Sequence, residues 1–187
     1  MSNAFPKHNL ETAPEKSKPL LRQLLEQSGP NGFYSVTAES PETLTAYAML
    51  HKAFMASSFT NEEKTVIWQT INVENQCHFC VPAHTYMAKA MKIDKTVSDA
   101  LRNETALPTA RLEALRDFTL LMLRNHGNAS DAEISNFLSA GYTHQNMLEV
   151  VLGLAQKTIS NYINHLARTP VDKQYEKYAW SKWNKIK

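Results

Sequence analysis

Glycine and cysteine are scarce in this chain, no apolar stretch is long enough to cross a bilayer, and neither sign of charge dominates. Each shortage excludes something. Five glycines among 187 residues cannot supply the tight turns of a many-stranded sandwich or barrel. The N-terminal stretch carries Lys7, Glu11, Glu15, Lys16 and Lys18 where a secretory leader would be apolar, so a soluble, cytoplasmic protein with no membrane partner is expected. Twenty Lys and Arg against eighteen Asp and Glu leave a formal charge of +2, too little to draw in nucleic acid. The two cysteines, Cys77 and Cys80, lie too close together for a bridge to tie two elements; it would contribute at most about 2 kcal/mol. In a reducing compartment such a pair serves redox chemistry or a metal.

What is plentiful is Leu, Ala, Glu, Gln, Lys and Met, all good helix formers. The length fits one domain. Residues 1–16, polar and interrupted by Pro6 and Pro14, read as a flexible arm, and residues 17–187 as a single all-α domain. Pro19 opens a helix through Leu20, Leu21, Leu24 and Leu25 that Gly29-Pro30 stops, and a further turn is expected between Asn31 and Ala38. Ser40-Pro41 starts the next helix. Thr60 with Glu63, and Ser130 with Glu133, have the spacing of capping boxes. Helices are also expected from about Cys77 to Met91, from Asp94 to Asn103, from Arg111 to Asn125, and from Thr143 through Leu148, Val151, Leu154, Ile159, Tyr162 and Leu166. The tail, 170–187, reads as an amphipathic helix in which Trp180 and Trp183 pack onto the body. Met49, Met55, Met87, Met91 and Met122 fall at core spacing. Several helices are apolar over more than one stripe, which predicts burial between subunits of a homo-oligomer.

The segment Glu74-Asn75-Gln76-Cys77-His78-Phe79-Cys80-Val81-Pro82-Ala83-His84 carries the chemistry. On a helix, steps of about 100° put Cys80 about 60° from Cys77 and His84 about 20° from it, so two thiols and an imidazole share one stripe. A thiolate there attacks an electrophile such as a peroxide oxygen, and the second thiol resolves the sulfenic acid into a disulfide. Pro82 places the cysteines near a helix start, where free backbone N–H groups favour a thiolate. His84, four residues from Cys80, is placed as its general base, and Glu74 as a carboxylate to orient an imidazole or pass on a proton. Asn161, Asn164 and His165 interrupt an apolar helix and suggest a buried polar network or a pocket wall.

These residues resemble the core of the alkyl hydroperoxidase D-like (AhpD-like) branch of the carboxymuconolactone decarboxylase superfamily. Ser40-Pro41, Arg111-x-x-Ala114-Leu115 and Asn161-Tyr162-x-Asn164 are similar to its peroxidase-related members. The resemblance implies a compact helical fold assembled into trimers or hexamers. It also implies hydroperoxide reduction as part of an antioxidant response, with re-reduction by an external thiol or dithiol protein. Cys80 would become the sulfenic acid, Cys77 would resolve it and donate a proton, and His84 would be the relay base. No cofactor is implied. Two positions depart from the pattern: Thr65 stands where the relay glutamate is usual, with Glu63 two residues earlier, and Phe79 stands where a histidine precedes the second cysteine. Glu74 is the preferred replacement carboxylate and Glu63 the second.

The rival reading is non-enzymatic. A redox-sensing module could change its assembly with the state of the pair, or Cys77, Cys80 and His84 could hold zinc with His78 or Glu74 as a fourth ligand. Metal is the lesser expectation, because no second cysteine pair exists.

Overall fold

The computed structural model describes residues 4–182, and every regular element among them is helical. Nine α-helices follow in chain order: α1 Lys18–Ser28, α2 Gly32–Thr37, α3 Pro41–Met55, α4 Asn61–Glu74, α5 Cys80–Ala90, α6 Lys95–Asn103, α7 Ala110–Arg124, α8 Asp131–Ser139 and α9 His144–Ala167. A 3₁₀ segment, Lys173–Tyr178, stands where a longer amphipathic tail helix was expected. Trp180 docks there, its indole N–H donating to the Arg102 carbonyl at 3.0 Å; Trp183 lies outside the described residues.

Local signals set the helix starts. Both expected capping boxes form, Thr60 with Glu63 on α4 and Ser130 with Glu133 on α8, and Thr143 with Asn146 makes a third on α9. Each satisfies backbone N–H groups that have no partner inside the helix. Helix α1 ends at Gly29, whose φ of 72° suits a residue without a Cβ.

Helix α4 is the axis of the fold, with Glu63 through Val73 all buried. Its apolar residues Val66, Ile67 and Ile71 join Leu112, Leu115, Phe118 and Met122 of α7, Phe137 of α8 and Val150 of α9 in the largest core cluster. Each such side chain, fully buried, contributes about 1.5–3 kcal/mol. The other side of α4 presents Trp68, Gln69 and Asn72. Gln69 donates to the Val81 carbonyl and to Thr85, and Asn72 donates to Gln69, so α5 is seated on α4 through polar contacts.

Residues 4–16, the described part of the expected arm, are held against the body. The His8 N–H donates to the Ser35 carbonyl at 2.9 Å, and Ala13 is buried with Leu21, Leu24, Ala38 and Leu44. Helix α9 is built differently from α4. The face it buries is largely polar and small (Gly153, Gln156, Lys157, Ser160, Asn161 and Asn164). Leu148 and Leu166 are 73% and 69% exposed, with Val151 and Tyr162 beside them on the surface. The apolar residues read from sequence are thus divided: these four face outward, while Leu154 and Ile159 pack against the core. Met49 and Met55 are likewise exposed rather than core, whereas Met122 is buried.

Candidate active site

Helix α5 begins at Cys80, three residues later than the earliest expected start, because Gln76 takes a φ of 54° and ends the continuation of α4. Cys77 therefore precedes the helix rather than riding on it. Its sulfur acts as a cap: the Cys80 backbone N–H donates to Cys77 Sγ at 3.3 Å. Pro82 sits in the first turn, where no donor is required of it.

Both thiols are free and buried, but they are not equivalent. Cys80 and His84 line a cleft of about 380 Å³ walled by α1, α2, α3, α5 and α9 and by Tyr175, while Cys77 lies behind it with no exposed surface. Asn164 of α9 donates its Nδ2 to Cys80 Sγ at 3.3 Å. Its Oδ1 is buried and meets no hydrogen-bond partner among the described residues, an acceptor left for whatever occupies the cleft.

Burial pushes the Cys80 thiol up. The hydrogen bond from Cys77, the charge of Lys157 and the amides of Asn164 and Asn161 outweigh it and bring Cys80 down to about 6, from an ordinary 9.0. Cys77 moves the other way, raised by burial and by its proximity to the Cys80 sulfur. Near neutral pH the pair is thus one thiolate facing the cleft and one thiol behind it, the division of labour of an attacking and a resolving cysteine.

Lys157 is the residue the sequence reading missed. It is 1% exposed, and its Nζ donates to His84 Nε2 at 2.9 Å. Burial lowers the Lys157 ammonium, while the two sulfurs pull it back up. Burial, the Lys157 charge and His51 hold His84 well below its ordinary value, so the ring is neutral. Trp68 packs on that ring with centroids 5.0 Å apart, and the Trp68 N–H donates to Gln156 at 2.8 Å. The signal was present in the sequence: Lys157 shares helical spacing with Gly153, Ser160, Asn161 and Asn164, a row of small and polar residues on an otherwise apolar helix.

The structure brings Cys77, Cys80 and His84 together, but not the carboxylates. Glu74 forms a two-pronged ion pair with Arg124 of α7, at 2.7 and 2.8 Å, outside the cleft lining. Those bonds hold its carboxyl below the usual range and occupy both oxygens. Glu63 closes the α4 capping box and pairs with Arg111 at 3.1 Å. Thr65, at the missing glutamate's position, donates to the Asn61 carbonyl at 2.9 Å. Neither carboxylate lines the cleft, and long-range arginines claim both. His78 is exposed, its ring bonded to the Thr169 carbonyl at 2.9 Å. Asn161 and Asn164 are buried at the site as expected; His165 is on the surface. Among the described residues no three His, Cys, Asp or Glu side chains gather to hold a metal ion, and His84 directs Nε2 to Lys157 instead. No helix of the described residues is long and apolar enough to cross a membrane.

No family model and no curated protein matches the sequence. Solved structures do match the fold. An AhpD-core, uncharacterized peroxidase-related protein from Ralstonia eutropha JMP134 superposes with a TM-score of 0.81 at 19% identity, over 91% of this chain and 93% of that one. An uncharacterized peroxidase-related protein from Silicibacter sp. TM1040 gives 0.76 at 19% identity over 91% of each chain. The debrominase Bmp8 gives 0.77 at 16% identity over 100% of both chains, and its complex with 2,3,4-tribromopyrrole 0.74. This chain therefore has the AhpD-core fold of the peroxidase-related proteins, the fold that its cysteine motif resembles.

Proposed function

We propose that this chain is a dithiol peroxidase that reduces hydroperoxides. The observation that carries the reading is the asymmetry of the pair: Cys80 faces the cleft with its thiol drawn down to about 6, and Cys77 is fully enclosed behind it with its thiol raised. The Cys80 thiolate attacks the distal peroxide oxygen and becomes a sulfenic acid. Cys77 then displaces water to form the disulfide. An external dithiol, available in a cytoplasmic setting, re-reduces it. Assembly into a homo-oligomer is part of the proposal, supported by the exposed row Leu148, Val151, Tyr162 and Leu166 along α9.

Thiol counting tests the reading. One equivalent of hydroperoxide added to reduced protein is expected to remove both thiols, and Cys77→Ala to leave a trappable sulfenic acid at position 80. Unchanged thiols with undiminished peroxide would overturn it.

Reductive debromination is a second reading. It is favoured by the fold shared with Bmp8 and by the rings of Phe33, Tyr34, Tyr47, Phe79, Tyr86 and Tyr175 around the cleft, which suit a flat aromatic. The same dithiol would supply two electrons, replacing a carbon–bromine bond with carbon–hydrogen and releasing bromide. Bromide release from 2,3,4-tribromopyrrole in step with thiol loss, without hydroperoxide turnover, would select this reading over the first.

A further inference from the structure

In the peroxidase reading, cleavage of the O–O bond expels an alkoxide, and that strongly basic leaving group needs a proton. Cys77 does not supply it in that step, since it keeps its proton until it attacks the sulfenic acid. Two side chains at the cleft are placed to supply it. Lys157 Nζ donates to His84 Nε2 at 2.9 Å, and both residues line the cleft with Cys80. A neutral imidazole that accepts at Nε2 carries its hydrogen on Nδ1. His84 is then a donor at its remaining nitrogen rather than a base. The thiolate has little use for a base in any case, because it is already ionised near neutral pH. A fully buried ammonium costs several kcal/mol in desolvation, and a lysine that only packed would not need its charge.

We propose that His84 and Lys157 form a proton-delivery pair for the leaving alkoxide, with Lys157 acting as a positioning residue through the His84 ring. As the Cys80 sulfur bonds to the distal oxygen and the O–O bond breaks, the alkoxide takes the Nδ1 hydrogen of His84. Lys157 refills the ring at Nε2 and is left as an amine. Cys80 holds the S–OH group, and no net charge remains on the trio. Cys77 then attacks Cys80, its proton leaving with the hydroxyl as water. An external dithiol reduces the disulfide, and its two protons restore the Cys77 thiol and the Lys157 ammonium. The inference rests on the peroxidase reading and reverses the base role expected of His84.

The experiment compares two oxidants whose leaving groups differ in their need for a proton. Tert-butyl hydroperoxide expels an alkoxide; peracetic acid expels a carboxylate that needs none. Lys157→Met and His84→Gln are assayed at a pH where absorbance shows Cys80 fully ionised, so that altered thiolate content does not enter. Each variant is expected to lose about 100-fold in rate with tert-butyl hydroperoxide and about threefold or less with peracetic acid. Equal losses with the two oxidants would overturn the proposal, since damaged packing does not distinguish leaving groups. If Lys157→Met fails to fold, His84→Gln carries the comparison alone. A wild-type protein inert to both oxidants overturns the peroxidase reading and this proposal with it; an active wild type with equal losses in the variants overturns this proposal only.

Discussion

Around Phe118, Phe137 and Tyr142 the rings stack in a buried column, with centroids 4.1 and 4.6 Å apart. Around Cys80 the rings stand back and leave a cleft of about 380 Å³ among Asn164, Lys157 and His84. The column gains its stability from dispersion and excluded water. The cleft gives up that packing and leaves Asn164 Oδ1 short of a partner, an arrangement that suits an occupant. Stability is concentrated where α7 meets α4 and α8; reactivity is concentrated where α5 meets α9.

Substitutions on the two sides should therefore separate. Phe137→Ala opens a cavity in the column and is expected to lower unfolding stability by about 3–5 kcal/mol, read by denaturant titration, while the peroxide rate per folded molecule holds. A matching fall in that rate would show that the two regions are not independent. On the cleft side, the pH dependence of the wild-type rate is expected to rise to a plateau with a midpoint near the value of about 6 at which Cys80 ionises. The sign follows from the thiolate being the attacking form: rate is lost as pH falls through that midpoint. Asn164→Leu removes a donor from the sulfur, and a hydrogen bond to a charged group contributes about 1.5–3 kcal/mol. The midpoint should move upward by about one pH unit or more with little change in melting temperature; an unmoved midpoint would mean Asn164 does not hold the thiolate. The smallest effect is expected at Glu74→Gln. The Glu74–Arg124 pair lies outside the cleft with Arg124 half-exposed, so its loss costs about 0.2–1 kcal/mol and leaves peroxide turnover unchanged. A large loss of rate would return Glu74 to the relay.

These contrasts track what a linear sequence can carry. Capping pairs such as Thr60 with Glu63 lie three residues apart and were legible, as were the helix start at the cysteines and the first-turn place of Pro82. So was the convergence of Cys77, Cys80 and His84, although the reason was partly different: Cys77 reaches Cys80 from a turn, not from one helical stripe. The fates of Glu74 and Glu63 were illegible because Arg124 and Arg111 lie 50 and 48 residues away. Lys157 was hidden by habit. A lysine on a helix with apolar neighbours reads as solvated surface, and only the packing of α9, which turns Leu148, Val151, Tyr162 and Leu166 to the surface, reveals that this one points inward.

Gly153 gives that packing a mechanical meaning. A Cβ on this residue would lie 2.7 Å from Phe54 Cε2, closer than real Cβ atoms come, and 3.0 Å from Ile67 Cγ2, a tight contact. The missing methyl lets α9 settle against α3 and α4. Lys157 stands one helical turn further along the same face, so the depth of that seat fixes how far its amine reaches toward His84. A single added carbon, well away from either sulfur, would act as a shim beneath the helix and lengthen the 2.9 Å contact. The spacing of the proton-delivery pair is thus gauged by an atom that the chain leaves out.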